Sequence, residues 1–269
     1  MKINCLLLSK LFQKNKIVVN TNFLHSYGSI RLIKFLSLIM SELEFTGEYF
    51  VPGKTISRIE EDHLERYKFA TKFAKGKNIL DIASGTGYGS KMLLDAGAKS
   101  VLGVDIDRKL VNYSKEIYKT KNIEFQLGDI TTFKINSKFD MITCFETIEH
   151  IKDDNLAIQN LFSLLKDDGL LFISSPNRPI TSPNAKLITD KPSNKYHMRE
   201  YLVDELVSLL ERHGFKIEGK YGQRMRLVTG IKLIDDQILN FFNPDTDASA
   251  KIQEIHALTP RYFLIKATK

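Results

Sequence analysis

The chain has 269 residues, of which 43% are hydrophobic and 26% are charged, proportions of an ordinary globular protein with one large domain. They exclude a disordered protein, a fibrous protein and a membrane protein with many spans. The formal charge of +7 is uneven, because residues 1–39 hold six basic side chains and no acid, which leaves +1 for the rest of the chain. This near-neutral remainder disfavours a dedicated nucleic-acid-binding protein.

The cysteines and the apolar runs indicate the cellular compartment of the protein and whether it spans a membrane. Cys5 and Cys144 are too few for a disulfide framework, which favours a reducing, cytoplasmic compartment. The best candidate for a membrane span, residues 29–40, is interrupted by Arg31 and Lys34 and is shorter than the roughly 18 apolar residues that a span needs. We therefore expect a cytoplasmic protein without a membrane span.

The first forty residues differ in composition from everything after them. An apolar run at residues 6–8 beside basic residues is typical of a targeting or membrane-surface segment. The favoured alternative is that translation starts at Met40, so that residues 1–40 are an extension that is unstructured or not translated. The globular domain is then expected over residues 41–269.

From residue 58 onward, helical and strand-like periodicities alternate. The pattern predicts helices over residues 58–75, 87–96, 107–118, 155–166 and 203–213, and strands over residues 78–82, 100–105, 122–127, 138–145, 170–175, 215–221 and 261–267. Such an alternation is typical of an α/β protein, in which right-handed crossovers join parallel strands and helices cover both faces of the sheet.

Two segments interrupt this alternation. A proline-containing loop follows Pro176 and is long enough to carry function above a site. An insertion over residues 222–260 separates the last two strands and contains an apolar segment, residues 228–242, that predicts a helix. Because it is too long for a hairpin turn, we interpret the insertion as a candidate lid or a homodimer element.

A glycine-rich turn links the first strand to the next helix. In the segment ILDIASGTGYG, residues 79–89, the alternate glycines Gly85, Gly87 and Gly89 let the backbone approach a ligand beside the amides of a helix start. Position 90 is Ser, so the spacing is G-x-G-x-G, whereas the dinucleotide fingerprint is G-x-G-x-x-G. The turn therefore disfavours a nicotinamide-dependent oxidoreductase.

Carboxylates stand at the ends of the following strands. Asp105 ends the second strand, where it can accept both hydroxyl protons of a ribose; Asp129 ends the third, where it can accept from an exocyclic adenine amine; Glu146 follows the fourth. Each acid alone is more often a helix cap or a turn residue. Their occurrence in register favours one ligand crevice at the carboxyl edge of the sheet.

The motifs ILDIASGTGYG, VLGVDID, EFQLGDI and FDMITCFETIEHI together resemble class I S-adenosylmethionine-dependent methyltransferases, over about residues 44–221. The resemblance implies a Rossmann-like, doubly wound sheet of seven strands with an antiparallel final hairpin, whose last strand lies between residues 215–221 and the other strands. It implies S-adenosylmethionine as cofactor, bound by Asp81, Ala83, Gly85 and Gly87 at the methionine part, Asp105 and Ile106 at the ribose, Asp129 and Ile130 at the adenine, and Phe145 along the methionine or sulfonium. Many members carry Gly at the position of Ala83.

Further segments narrow the resemblance. FTGEYFVPG at residues 45–53, SPNR at residues 175–178 and YHMREY at residues 196–201 are similar to bacterial methyltransferases linked to cell-surface polysaccharide assembly. The implied acceptor is a small molecule or a saccharide. Arg178 and Arg199 flank the loop and are candidates for binding an acceptor carboxylate or phosphate, although surface arginines are common.

Methyl transfer to a hydroxyl needs an aligned acceptor and a group that removes its proton. Glu146, Glu149 and His150 share one face if their segment is helical, and His197 follows in the long loop. The E-x-x-E-H pattern with a later His resembles quinone O-methyltransferases and RNA 3′-terminal 2′-O-methyltransferases, which implies that these four residues hold a divalent metal such as Mg or Mn. The alternative is a metal-free site in which His150, with Glu146, is a general base or only closes the pocket.

The sequence therefore predicts an S-adenosylmethionine-dependent methyltransferase that acts on oxygen in a small or carbohydrate-like acceptor. A metal-dependent RNA 2′-O-methyltransferase is the alternative, weakened by the charge balance. A cofactor-binding but catalytically silent complex partner is the other, weakened by the presence of Glu146 and His150. His63 and Tyr67 on the leading helix either cover the cofactor or, as their helical spacing favours, pack beneath it.

Overall fold

One mixed sheet organises the part of the chain that the structure describes. The computed structural model describes residues 57–229, 235 and 248–269, which lie in a compact unit that spans Phe45–Lys269. The extension predicted over residues 1–40 lies outside the described residues, as does nearly all of the helix predicted over residues 228–242.

The elements follow each other in the predicted alternation. The helices are α1 (Ser57–Thr71), α2 (Tyr88–Asp95), α3 (Arg108–Ile117), α4 (Asp154–Leu164), α5 (Arg178–Thr181) and α6 (Val203–Arg212), with a 3₁₀ turn at Ile148–His150. The strands are β1 (Asn78–Ile82), β2 (Ser100–Asp105), β3 (Ile123–Leu127), β4 (Phe139–Cys144), β5 (Leu165–Pro176), β6 (Lys216–Gln223), β7 (Gln253–Glu254) and β8 (Tyr262–Thr268). Among the described residues, no helix combines the length and the apolar character needed to cross a membrane.

The strand order is β3-β2-β1-β4-β5-β8-β6-β7. Strands β1 to β5 are parallel, and β8 lies antiparallel between β5 and β6. This arrangement confirms the Rossmann-like fold with an antiparallel final hairpin. The eighth strand, β7, is a two-residue addition at the outer edge of β6.

The junction between α4 and β5 differs from the prediction. The helix was expected to run to residue 166 and to end at Gly169, whereas Leu165 already has extended backbone and begins β5. The reason is tertiary: Leu165 pairs with Phe139 of β4 and is fully buried, before a register shift restores the regular ladder at Leu170. Burial of one leucine against the neighbouring strand thus outweighs the local helical pattern.

Helices cover both faces of the sheet. On one face, α1 and α2 contribute buried residues such as Ala70 and Leu93 to an apolar cluster with Ile79 and Met141. On the other face, α4 and α6 pack Leu161 and similar side chains against a second cluster. Strand β1 therefore lies in a double-sided core, as its nearly continuous apolar sequence requires.

The chain reverses its direction of winding at β1. Strand β2 lies on one side of β1 and β4 on the other. The loops that leave the carboxyl ends of β1 and β4 therefore diverge and open a crevice, which is where open α/β sheets bind ligands.

Candidate active site

The glycine-rich turn after β1 is built from left-handed backbone. Ala83, Gly85 and Gly87 have φ angles of 58°, 57° and 79°. A Cβ atom at Gly85 would meet nothing within 4 Å, whereas one at Gly89 would lie 2.0 Å from the Tyr67 ring. Packing thus requires glycine at position 89, whereas the left-handed backbone beside open space only favours glycine at position 85.

A cavity of about 410 Å³ opens above this turn. The predicted site residues that line it are Ala83, Gly85, Asp105, Ile106, Phe145, Glu146 and His150. Ile106 is 70% exposed although it is apolar, so its side chain is available to a ligand. Seven of the predicted residues, drawn from the ends of β1, β2 and β4, thereby border one space.

Asp105 connects the end of β2 to the glycine turn. Its Oδ2 accepts a hydrogen bond from the Gly85 amide at 2.8 Å, and its Oδ1 accepts from the Asp107 amide at 2.9 Å. Burial raises the pKa of the Asp105 carboxyl, while these amide donors oppose the rise. The carboxylate thus positions the turn in addition to bordering the cavity.

Four predicted cofactor residues do not line the cavity: Asp81, Gly87, Asp129 and Ile130. Asp81 is buried and accepts hydrogen bonds from Tyr67, Ser90 and Thr143, so it braces the turn from below.

At the end of β3, Asp129 accepts from the amide and the hydroxyl of Thr131, and Ile130 is buried in the core. The preceding Gly128 donates its amide proton to the Asp105 carbonyl, so the end of β3 is held beside the end of β2.

Helix α1 supplies one wall of the cavity, through His63 and Tyr67. Tyr67 donates to Asp81 at 2.9 Å and packs edge-on against Phe145, with ring centroids 5.0 Å apart. His63 is close to the Tyr88 hydroxyl, at 3.2 Å from its Nδ1. Packing was the favoured expectation for these two residues, and a place over the cofactor pocket was the alternative. Both residues pack and also border the cavity.

A second, smaller pocket of about 120 Å³ adjoins the cavity. His63, Glu146 and His150 line both spaces and form the wall between them. The pocket is further lined by Asp62 and Arg66 of α1, by Glu149, by Asn194 and His197 of the long loop, and by Tyr262 of β8. A methyl donor in the cavity and an acceptor in the pocket would therefore meet at this shared wall.

Three of the four predicted metal ligands come together here. One ligand atom from each of Glu149, His150 and His197 lies within 4.8 Å of the others. The long loop is held in place because the Glu149 carbonyl accepts from the Met198 and Arg199 amides. Glu146 lies outside this cluster, although it lines the same pocket.

The two histidines are oriented through their Nδ1 atoms. Nδ1 of His150 donates to the Tyr196 carbonyl at 3.1 Å, and Nδ1 of His197 donates to the Glu200 carboxylate at 2.7 Å. A neutral imidazole that donates from Nδ1 keeps its acceptor lone pair on Nε2. The carboxylate–histidine arrangement of Glu200 and His197 is common behind metal ligands.

The two glutamates have different surroundings. Glu149 is 1% exposed, its Oε2 has no hydrogen-bond partner among the described residues, and burial, with repulsion from Glu146, raises its pKa well above the ordinary value. Glu146 has left-handed backbone at φ 47°, its Oε1 accepts from Ser174 at 2.7 Å, and its Oε2 lies 3.8 Å from Nη2 of Arg66.

Arg178 and Arg199, the two loop arginines expected at the acceptor, are engaged elsewhere. Arg178 makes a two-point ion pair with Glu205, and Arg199 pairs with Asp154 and the Lys152 carbonyl. Both arginines thus brace the loop, and neither lines the pocket. The arginine that does line it is Arg66, which sequence reasoning missed because nothing in the helical pattern of α1 distinguishes it.

Comparison with known proteins identifies the family of the chain. A family model described as a methyltransferase domain matches residues 73–228, which is more than half of the chain. The chain belongs to this family. It is a class I S-adenosylmethionine-dependent methyltransferase, as the resemblance of its four motifs implied, and the family implies S-adenosylmethionine as its cofactor.

Individual relatives match this methyltransferase over part of its length. It is 30% identical over 188 residues to a "probable S-adenosylmethionine-dependent methyltransferase" of Mycolicibacterium smegmatis, a match that covers 68% of this chain and 69% of the relative. A "ubiquinone biosynthesis O-methyltransferase" of Coxiella burnetii is 39% identical over 107 residues, or 39% of this chain and 45% of that protein. A solved S-adenosylmethionine-dependent methyltransferase of Mesorhizobium loti shares the fold, with a TM-score of 0.54 at 16% identity over 76% of this chain and 98% of its own.

Proposed function

We propose that this methyltransferase transfers the methyl group of S-adenosylmethionine to a hydroxyl oxygen of a small or carbohydrate-like acceptor, with the help of a divalent cation such as Mg or Mn. The carrying observation is that the Glu149–His150–His197 cluster lies in a pocket that shares a wall with the cofactor cavity. The similarity to a protein named as an O-methyltransferase supports oxygen as the acceptor atom.

For the cofactor, the proposed contacts follow the cavity. Ala83 and Gly85 bound the methionine part, Asp105 and Ile106 bind the ribose, and Phe145 lies along the sulfonium. We keep Asp129 and Ile130 as the adenine side, supported by the hydrogen bond that holds Gly128 to Asp105. Asp81 and Gly87 then act from behind the turn.

The residues of the small pocket fit a cation in three respects. Both histidines donate from Nδ1, which leaves Nε2 as the ligand atom. The buried Oε2 of Glu149 lacks a partner among the described residues, and a cation would provide one. One contact opposes binding, because the Asn194 amide nitrogen lies 2.9 Å from Nε2 of His197 and would have to move.

The reaction is an in-line displacement in which a C–O bond forms as the C–S bond breaks and sulfur takes the electron pair. A divalent cation in the pocket supplies Lewis acidity that lowers the pKa of the acceptor hydroxyl. Glu146 lines both spaces and lies outside the three-residue cluster, so we assign it the hydroxyl proton, at Oε2. Ser174 holds the other oxygen of this carboxylate in position.

Methyl transfer in the presence and absence of a chelator tests this proposal. The protein is purified without a metal-binding tag, its metal content is measured, and a panel of sugars, quinols and RNA is screened for methylation. We expect a chelator to abolish transfer, Mg or Mn to restore it, and His150→Ala to lose both activity and bound metal. His213→Ala is the matched control, because His213 lies at the end of α6 beside Asn155 and outside both spaces.

If activity does not respond to the chelator but is lost in His150→Ala, the result would favour a metal-free mechanism in which His150 is the general base. If RNA is the only member of the panel that is methylated, the proposal of a small acceptor would be wrong. Binding of the cofactor without transfer to any member of the panel would favour the silent complex partner.

A further inference from the structure

Arg66 stands out among the residues that line the small pocket. Its side chain is 2% exposed, and its guanidinium lies over the ring of Tyr262, 5.3 Å from the centroid. Nη1 donates to Oε1 of Gln223 at 2.6 Å. A fully buried arginine of this kind needs hydrogen-bond acceptors for its remaining N–H groups.

The edge of the guanidinium formed by Nε and Nη2 lacks hydrogen-bond acceptors among the described residues. Nε is buried and has no hydrogen-bond partner among the described residues. Nη2 faces Oε2 of Glu146 at 3.8 Å, which is too long for a hydrogen bond. The Nε–Nη2 edge is the one that binds a carboxylate through two parallel hydrogen bonds, and in Arg66 neither nitrogen of this edge has a hydrogen-bond partner in the part of the chain that the structure describes.

The charges around this edge favour an anion once the proposed cation is bound. Asp62 pairs with Arg224, whose Nε lies 2.8 Å from its Oδ1. The carboxylate of Glu149 offsets one positive charge of the cation, and Glu146, whose Oε2 lies 3.8 Å from Nη2 of Arg66, becomes neutral when it takes the acceptor's hydroxyl proton. Arg66 then has a positive charge that a carboxylate of the acceptor can balance.

We propose that Arg66 binds a carboxylate of the acceptor, so that the substrate is a hydroxy acid whose hydroxyl lies beside the cation while its carboxylate meets the Nε–Nη2 edge. This inference rests on the proposed function and adds the acceptor's chemical class to it. Arg66 is a specificity-determining residue in this scheme, since it touches the acceptor away from the oxygen that is methylated.

The test compares two probes of nearly the same shape, 2-hydroxybenzoate and 2-hydroxybenzamide, of which only the first carries a carboxylate. Each is titrated into protein saturated with S-adenosylhomocysteine and Mg²⁺. We expect the wild type to bind the carboxylate probe at least about tenfold more tightly than the amide, as hydrogen bonds between charged groups allow. In Arg66→Gln and Arg66→Lys, the ratio of the two Kd values should fall below about threefold, with amide binding unchanged.

Arg212→Gln is the control, because it removes an arginine at the end of α6 that lines neither the pocket nor the cavity, and it should keep the preference. S-adenosylhomocysteine binding verifies that each variant is folded. Equal binding of the two probes by the wild type would overturn the proposal even if no Arg66 variant folds. A preference that persists in Arg66→Gln would overturn it too, by assigning the carboxylate to the cation.

This outcome is separable from that of the proposed function. A lost preference with intact cation-dependent transfer overturns only the hydroxy-acid class. A preference that holds while transfer proves independent of the cation overturns only the metal-assisted mechanism.

Discussion

The larger cavity and the small pocket beside it are built in different ways. Most of the residues that line the cavity follow β1, β2 and β4, with further residues from α1 and the long loop, and the cavity opens above one left-handed turn. The pocket joins α1, the 3₁₀ turn after β4, the long loop and β8. Parallel strands place their ends together by topology alone, whereas the pocket depends on side chains that connect remote segments.

Those connections are ion pairs and hydrogen bonds, most of them between buried side chains. Arg224 of the segment after β6 pairs with Glu61 and Asp62 of α1, and Gln223 bridges Arg66 to the Asp62 and Ala250 carbonyls. Burying such groups is costly unless every partner is present. The geometry of the pocket therefore depends on individual side-chain contacts, whereas the geometry of the cavity follows mainly from the order of the strands.

The largest expected effect separates the pocket from the cavity. Glu149→Gln removes a carboxylate from the proposed cation site, and it should lower the rate of methyl transfer roughly 10²–10³-fold, since a cation contributes several kcal/mol at the transition state. Because Glu149 lines only the pocket, affinity for S-adenosylhomocysteine should not change. Thermal stability should not fall, since a buried carboxylate without a partner is itself destabilising. Transfer at the wild-type rate would contradict this division of labour.

The second effect lies within the cavity. Asp105→Ala should weaken S-adenosylhomocysteine binding about 100-fold, because the carboxylate holds the Gly85 and Asp107 amides as well as the proposed ribose. Asp129→Ala should weaken it only about tenfold, since Asp129 holds Thr131 and lies outside the cavity lining. Calorimetric titration measures both, and an equal loss in the two variants would show that the turn needs no brace from Asp105.

The third effect concerns Asp81, behind the turn. Burial raises the pKa of its carboxyl to about 6 from an ordinary 3.8. The folded state therefore binds this proton more tightly than the unfolded state, so the contribution of Asp81 to stability is present below pH 4 and is lost as the pH rises through 6. Relative to Asp81→Asn, the wild type should lose roughly 2–3 kcal/mol between pH 4 and pH 7, measured by urea unfolding at each pH. A difference independent of pH would place the pKa near its ordinary value.

The smallest effect tests strain in the turn itself. Ala83 has a φ angle of 58°, where an alanine costs about 1–2 kcal/mol, while glycine adds entropy to the unfolded chain. Ala83→Gly should therefore stabilise the protein by about 0.5–1 kcal/mol in urea unfolding. Ala96→Gly, at a φ angle of −77°, should instead destabilise it by a similar amount. Stabilisation by both changes would argue against strain at Ala83.

Elements specified by the local sequence could be predicted, whereas elements specified by remote contacts could not. The bounds of β1 and β2 agree with the sequence pattern, because uninterrupted apolar runs between turn residues specify buried strands. The start of β5 could not be found in this way, since Leu165 continues the helical pattern of α4 and is taken into the sheet only by its pairing with Phe139. The place of β8 between β5 and β6 came from the resemblance to a family, not from periodicity.

What the sequence by itself determined is the alternating architecture, the family and the segments that border the cavity and the pocket, because these depend on patterns within short stretches of chain. Only the tertiary structure decided that Arg66 lines the small pocket while Arg178 and Arg199 brace the loop. The hydrogen bond between Arg66 and Gln223 joins positions that are 157 residues apart. No local spacing encodes such a partner, since it exists only after the sheet has brought α1 and β6 together.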